Sequence, residues 1–183
     1  MKIDVHCSAV GRGTLSWKGR TFPCTLGRSG VRLDKREGDG ATPVGCFVLR
    51  RVLYRPDRVT APVTRLPCAP IAPDDGWCDA PDDPAYNRMV RLPYPASAER
   101  LWRDDHLYDV VVVLGHNDDP VVPGAGSAIF MHLAREDGGP TEGCIGLARE
   151  TLLALLAAAG PDDRVCVHAD SDSGDRTLAA DMT

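Results

Sequence analysis

Proline is concentrated in one part of this 183-residue chain. Nine prolines fall within forty residues, at positions 56, 62, 67, 70, 73, 81, 84, 93 and 95. Because proline has no backbone N–H donor and clashes with the preceding helical turn, a regular helix or a central strand is excluded through most of this range. Residues 56–95 are therefore predicted to form a long, proline-stiffened loop that either covers a sheet edge or borders a cleft.

Strand patterns dominate the rest of the chain. Residues 2–7 alternate polar and apolar side chains, as a half-buried strand does. The segments 14–17 and 21–26 flank Lys18-Gly19-Arg20, which is typical of a hairpin. Further strands are predicted at residues 45–53, 108–114, 128–133 and 165–169.

One helix is predicted near the C-terminal end. Residues 147–159 are strong helix formers, and Gly160-Pro161 ends the segment. The chain is thus expected to be mainly β, a mixed sheet or sandwich with one C-terminal helix and the long proline-rich loop. Residues 1–170 are predicted to form a single domain, followed by a polar, flexible tail over residues 171–183.

Composition and charge exclude several classes of partner. A net charge of −5 and an isoelectric point near 5.5 argue against a nucleic-acid partner. No apolar run approaches the roughly 20 residues of a membrane helix, so no membrane insertion is expected. The N-terminus lacks the apolar stretch of a signal peptide, and seven cysteines without a C-x-x-C pair suit reduced thiols. These features predict a cytoplasmic protein, or a periplasmic one if a leader precedes this sequence.

The candidate chemistry lies just before the predicted helix. His132 closes an apolar run, and Cys144 follows twelve positions later beside Gly143. A strand that ends at His132 and a loop that doubles back would bring the thiol beside the imidazole. An imidazole partner and the N–H groups near a helix start both lower the pKa of a thiol. A Cys beside Gly is more often a small buried hydrophobe, but the close approach that Gly143 allows and the hydroxyl of Thr141 favour a cysteine acyl-transfer site.

These residues resemble the signature of the L,D-transpeptidase catalytic domain family (the YkuD type). That signature is a His on a strand, a variable loop, and Ser/Thr-His-Gly-Cys followed by an apolar residue. The positions that match are His132, Thr141, Gly143, Cys144 and Ile145. An upstream stretch is similar to the family's Thr-Pro-x-Gly-x-Phe element, here Thr42, Pro43, Gly45 and Phe47. The resemblance covers most of the chain, from about residue 11 to residue 169.

The resemblance implies an enzyme that acts on peptidoglycan stem peptides or muropeptides without a metal or another cofactor. Cys144 would attack the carbonyl of the L-centre of the position-three diamino acid, expel the following D-amino acid and form a thioester. His132 would shuttle the proton, and the N–H groups of Gly143 and Cys144 would bind the oxyanion. An amine acceptor makes the reaction L,D-transpeptidation and water makes it L,D-carboxypeptidation; a cytoplasmic chain favours trimming or D-amino-acid exchange in muropeptide recycling.

Additional side chains are expected to bind the substrate. Thr141 and Glu142 lie in the cysteine loop, and His116-Asn117 follows a buried strand, where active-site side chains often emerge. Tyr86 and Asn87 are candidates from the proline-rich loop.

Two residues depart from the family pattern. Glu142 stands where the family usually has a second His, and Gly146 where it usually has Arg or Asn. A carboxylate that points at the thiol would raise its pKa, so Glu142 is expected to point away or to bind a cationic group. The departures also leave open a non-catalytic domain of the same fold that binds peptides or a partner.

Overall fold

The structure is a computed structural model that describes residues 2–169, and the tail predicted at residues 171–183 lies outside the described residues. The described part contains fourteen strands and one helix. In chain order they are β1 (Lys2–Ala9), β2 (Arg12–Trp17), β3 (Arg20–Thr25), β4 (Val31–Arg32), β5 (Thr42–Pro43), β6 (Gly45–Tyr54), β7 (Cys68–Pro70), β8 (Asp75–Cys78), β9 (Met89–Arg91), β10 (Ala98–Arg100), β11 (Val110–Leu114), β12 (Phe130–Leu133), β13 (Ile145–Leu147), α1 (Arg149–Ala158) and β14 (Arg164–His168).

Nine of these strands form one mixed sheet. Its order is β11-β12-β13-β3-β2-β1-β14-β6-β7, and an additional pairing of β11 with β6 closes the sheet into a ring. The pairs β1–β14, β12–β13 and β6–β7 are parallel, and the remaining pairs are antiparallel. The predicted mainly β fold with a mixed sheet and one helix is confirmed.

Side-chain alternation along the strands creates two apolar cores. In β11, Val110 and Val112 lie in the core that also contains the helix, whereas Val111 and Val113 lie in a second core on the other face. Cys144 belongs to the second core. The sheet therefore separates the helix-covered side from the side that carries the candidate nucleophile.

Helix α1 packs on the first core through one face. Leu152, Leu155 and Leu156 are fully buried, at the spacing of three and four residues that places side chains on one stripe. The helix begins at Arg149, two residues later than predicted, because Ile145–Leu147 pair with β12 as β13. Among residues 2–169 no helix is long and apolar enough to cross a membrane.

The proline-rich segment contains short strands. β8 lies between β9 and β10 in a three-stranded sheet, and its four residues include no proline. Trp77 of β8 contacts the ring of Phe130 edge-to-face, with ring centroids 5.1 Å apart. The segment thus covers the second core, where the cysteine lies.

A disulfide joins Cys46 and Cys166. The antiparallel pairing of β6 with β14 places these two residues directly opposite each other. The expectation of reduced thiols is therefore wrong for this pair. The bond could not be predicted from the sequence, because the two cysteines are 120 residues apart and nothing in the sequence indicates that their strands are neighbours. The free cysteines are Cys7, Cys24, Cys68, Cys78 and Cys144.

Candidate active site

Strands β12 and β13 bring the candidate base and nucleophile to one face of the sheet. They pair in parallel with His132 beside Gly146. Cys144 precedes Gly146 by two residues, and side chains two residues apart along a strand share a face. Both Cys144 and His132 line the same cavity.

The cavity has a volume of about 420 Å³. Its wall includes four of the residues predicted from the sequence, namely His132, Thr141, Glu142 and Cys144. The remaining wall is rich in charged and hydroxyl side chains that the sequence did not single out. These are Thr25, Lys35, Glu37, Asp79, Glu99, Arg103, Tyr108, Ser127 and Arg135.

The imidazole of His132 is held in one orientation. Its Nδ1 lies 2.8 Å from the carbonyl oxygen of Leu133, which can only accept, so Nδ1 carries the proton and Nε2 is left with a lone pair. The edge of the Tyr108 ring packs against it, with centroids 5.2 Å apart. Burial lowers the pKa of His132 to about 4, because removal of water disfavours the charged imidazolium. The neutral ring is therefore available as a base.

The thiol of Cys144 is also held in its neutral form. Sγ–H donates to the carbonyl of Ala128 at 3.2 Å, and the N–H of Phe130 donates to the sulfur at 3.4 Å. Burial and, next, the negative charge of Glu99 raise the pKa of Cys144 to about 12, and the Phe130 N–H only partly offsets them. The sequence predicted a lowered pKa, and the opposite shift arises because the sulfur lies in an apolar core.

The backbone of the cysteine loop is fixed by Thr141 and Gly143. The Thr141 hydroxyl donates to the carbonyl of Cys144 at 2.7 Å and accepts from the N–H of Gly143 at 3.2 Å. Gly143 has a φ of +136°, and a Cβ there would lie 2.8 Å from the carbonyl oxygen of Ala41. Only glycine fits this position. The space that Gly143 leaves is thus filled by the backbone of Ala41 rather than left for a substrate. The Gly143 N–H, predicted to bind the oxyanion, donates to the Thr141 hydroxyl instead.

The upstream Thr-Pro element holds the same loop from the other side. The hydroxyl of Thr42 accepts from the N–H of Gly27 at 2.8 Å and donates to the carbonyl of Cys144 at 3.4 Å. The N–H of Thr141 donates to the carbonyl of Leu26 at 2.8 Å. The two sequence motifs are therefore in contact, and the first supports the second.

Glu142 forms an ion pair within the chain. Its Oε2 lies 2.7 Å from Nε of Arg28, and the two side chains remain 78% and 52% exposed. Glu142 thus binds a cationic group, as expected, although the cation is supplied by the protein. An exposed pair of this kind contributes about 0–1 kcal/mol to stability.

Asn87 holds the loop whose Ala128 carbonyl accepts a hydrogen bond from the Cys144 thiol. Its Oδ1 accepts from Trp77 Nε1 at 2.9 Å and from the N–H of Ala128 at 3.1 Å. Its Nδ2 donates to the carbonyls of His116 and Asn117 at 3.0 and 2.7 Å. Asn87 therefore lies behind the cavity wall, and its predicted contact with substrate stays a prediction.

The other three predicted binding residues are also absent from the cavity wall. Tyr86 donates to Glu37 at 2.5 Å and accepts from the N–H of Gly126 at 3.0 Å. Nε2 of His116 lies 3.0 Å from the carbonyl of Ala125. The side chain of Asn117 bonds backbone groups of residues 122 and 126. Of these residues, Tyr86 reaches the cavity indirectly, through Glu37, which lines it.

The charged wall of the cavity was not predicted from the sequence. Lys35 and Glu37 lie a few residues before Thr42 of the upstream motif, but Asp79 and Glu99 come from the proline-rich segment and from β10. No spacing rule links these segments to Cys144, because the covering three-stranded sheet brings them there. Within residues 2–169 no group of three or more His, Cys, Asp or Glu side chains is arranged to hold a metal ion.

Comparisons with known proteins show the family to which the chain belongs. The family model of the L,D-transpeptidase catalytic domain, YkuD, matches residues 11–167. Among solved structures, the chain is similar to Mycobacterium tuberculosis L,D-transpeptidase 1, with 16% identity and a TM-score of 0.39. That match covers 91% of this chain and 61% of the other. No curated protein matches the chain.

Proposed function

Because the chain belongs to the YkuD family of L,D-transpeptidase catalytic domains, we propose that it is a cysteine acyl-transfer enzyme that acts on peptidoglycan stem peptides. The observation that carries the proposal is the shared cavity of Cys144 and His132, with Nδ1 of the imidazole engaged and Nε2 free to take a proton. A nucleophile beside an oriented base is the arrangement that covalent catalysis requires.

The first half of the reaction acylates the enzyme. Nε2 of His132 takes the proton of the Cys144 thiol, and the sulfur attacks the carbonyl carbon of the L-centre of the position-three diamino acid. The backbone N–H of Cys144 binds the developing oxyanion. The C–N bond to the D-amino acid then breaks, and His132 returns the proton to the departing amine.

The second half releases the acyl group. If an amine attacks the thioester, the product is an L,D-crosslink or an exchanged D-amino acid. If water attacks, the product is a shortened stem peptide. His132 accepts the proton of the incoming nucleophile in either case and returns it to the sulfur.

The place of action determines which acceptor is available. A cytoplasmic enzyme would meet recycled muropeptides and would trim them or exchange their last residue. The Cys46–Cys166 disulfide favours an oxidising compartment instead, where assembled wall offers amine acceptors.

A second candidate function is a non-catalytic domain that binds peptides. It is favoured by the neutral thiol, whose pKa is raised to about 12, and by Glu142 in place of the second motif His. A binding domain would hold a stem peptide in the cavity without forming a thioester.

One experiment separates the two functions. A tetrapeptide stem is incubated with the protein, with and without a free D-amino acid, and the released D-amino acid is measured. Release that depends on Cys144 and His132 supports the enzyme. Binding of the tetrapeptide without release supports the second function.

A further inference from the structure

Thr25 lies beside the reacting pair on the same face of the sheet. It is the last residue of β3, and it pairs with Gly146 of β13, which pairs in turn with His132 of β12. Residues directly opposite each other on neighbouring strands point to the same side. His132, Gly146 and Thr25 therefore form a row across three strands, with Cys144 two residues before the middle one.

The hydroxyl of Thr25 is buried without a hydrogen-bond partner. The residue is 7% exposed, and within residues 2–169 its Oγ1 has no partner. Asp79 Oδ1 is the other buried side-chain oxygen in this condition in the described part, and both residues line the cavity of Cys144. Buried polar groups in native proteins are normally paired, so an unpaired one at a cavity wall calls for a partner that occupies the cavity.

Gly146 makes room for this hydroxyl. A Cβ at residue 146 would lie 2.2 Å from Thr25 Oγ1 and 3.2 Å from Cα of Ala134. The Thr25 side chain thus occupies the space that a side chain at residue 146 would need. Gly146, which departs from the family pattern, is therefore what allows the Thr25 hydroxyl to take this position.

A cation lines the same cavity. Arg135 follows Ala134 in the chain, is exposed and lines the cavity. In the described part of the chain, no carboxylate lies within ion-pair distance of its guanidinium. Arg135 and Thr25 both line the cavity and carry hydrogen-bond donors, and the terminal carboxylate of a stem peptide is a group that accepts from a hydroxyl and a guanidinium together.

We infer that Thr25 and Arg135 bind the terminal carboxylate of the peptide, the carboxylate of the D-amino acid that leaves. This inference rests on the proposed function, because it takes the occupant of the cavity to be a stem peptide. It makes the enzyme selective for peptides that end beside the cleaved bond. Thr25 is then a specificity-determining residue that contacts substrate.

Binding to the Cys144→Ala protein tests the inference without requiring catalysis. Isothermal titration calorimetry compares a tetrapeptide stem that has a free C-terminus with the same peptide amidated. In this background, Thr25→Val and Arg135→Gln should each weaken binding of the free acid about tenfold, the usual effect of losing a hydrogen bond to a charged group. Binding of the amidated peptide should change less than twofold. Thr25→Ser should restore binding of the free acid, and Thr14→Val, on the neighbouring strand β2, is the matched control.

Thermal unfolding separates binding from packing. Thr25→Val should be at least as stable as its parent, because it removes a buried polar group that has no partner. Equal affinities of Thr25→Val and its parent for the free acid would overturn the inference. So would an equal loss on the acid and the amide, or no binding of either peptide. Carboxylate-dependent binding without turnover by the unmutated protein would contradict the proposed function and leave this inference standing.

Discussion

His132 and Cys144 are almost fully buried when the chain folds, and burial favours the neutral form of each. A neutral thiol that shares a cavity with a neutral imidazole differs from the preformed thiolate that low-pKa cysteines provide. The proton must therefore move when the substrate is bound, when the carbonyl group and its oxyanion donor can stabilise the new charge. A thiol with a raised pKa is expected to react slowly with oxidants and alkylating agents.

Replacement of His132 by Gln tests its role as the proton shuttle. The turnover number should fall by roughly 10²–10⁴, which is the usual contribution of a positioned acid–base group, while peptide affinity changes little. His116→Gln is the control, because the ring of His116 lies outside the cavity wall. A loss below tenfold for His132→Gln, measured by D-amino acid release, would assign the base to another residue.

The pH dependence follows from the lowered pKa of His132. kcat/KM, which reports the free enzyme, should stay level as pH falls from 7 to 5 and should decline only near pH 4. An enzyme whose base is an ordinary His would lose activity near pH 6.5.

The lowered pKa of His132 also affects stability. The free energy of unfolding should decrease as pH falls from about 6.5 through 4, because the imidazole binds a proton in the unfolded chain but not in the folded chain. Chemical denaturation at pH 7 and pH 5 checks this, and His132→Gln should weaken the dependence.

Among the secondary-structure elements, the position of Cys144 is fixed by hydrogen bonds from loops that come from other parts of the chain. The Thr42 hydroxyl bonds both Gly27 and the carbonyl of Cys144, so it links the turn after β3, the β5 strand and the cysteine loop. The Asn87 amide holds the loop of Ala128 in the same way. Cys144, the candidate nucleophile, is positioned by this framework rather than by β13, which begins one residue later.

Thr42→Val should loosen that framework. It leaves the buried N–H of Gly27 without its acceptor, at a cost of about 1–3 kcal/mol in the free energy of unfolding. D-amino acid release should fall as well, because the Cys144 carbonyl loses one of its two hydroxyl donors. Urea denaturation and a kinetic assay measure the two effects, with the exposed Thr60→Val as control. If Thr42→Val matches the parent in both, the framework is not anchored by this hydroxyl.

The elements that the sequence predicts well are those with a strong local pattern. The hairpin of β2 and β3, the apolar run of β11 and the helix α1 are present close to the predicted bounds. β7 to β10 have three or four residues each, too few for a periodic pattern. β7 forms by pairing with β6, and β8, β9 and β10 pair with one another in the three-stranded sheet. They were therefore missed, and the charged residues that they bring to the cavity were missed with them.

At the scale of the whole molecule, the fold is held together by pairings between distant parts of the chain. The N-terminal strand β1 pairs with β14 near the C-terminal end of the described part, and β6 closes the ring with β11. The Cys46–Cys166 disulfide joins β6 and β14 within this arrangement. The motifs of the site could be read from the sequence because their residues are neighbours in the chain. The disulfide and the charged cavity wall could not, because the β6–β14 pairing and the covering three-stranded sheet bring together residues that are far apart in the chain.

Removal of the disulfide should therefore destabilise the whole domain. Cys46→Ala with Cys166→Ala should lower the free energy of unfolding by about 2–5 kcal/mol, since the bond closes a long loop in the unfolded chain. Cys68→Ala is the control, because Cys68 is free and exposed, and this change should leave the free energy of unfolding nearly unchanged. Thermal unfolding under non-reducing conditions measures both. An unchanged midpoint for the double variant would show that the bond contributes nothing to stability.

Intact-protein mass spectrometry can detect the thioester between Cys144 and a stem peptide that the proposed reaction forms. The protein is mixed with a tetrapeptide stem and quenched in acid within the first turnovers. We expect a mass increase equal to the tripeptide acyl group, located on Cys144 by peptide mapping and absent from Cys144→Ala. Release of the D-amino acid without an adduct on Cys144, or equal release by Cys144→Ala, would contradict the proposed covalent mechanism.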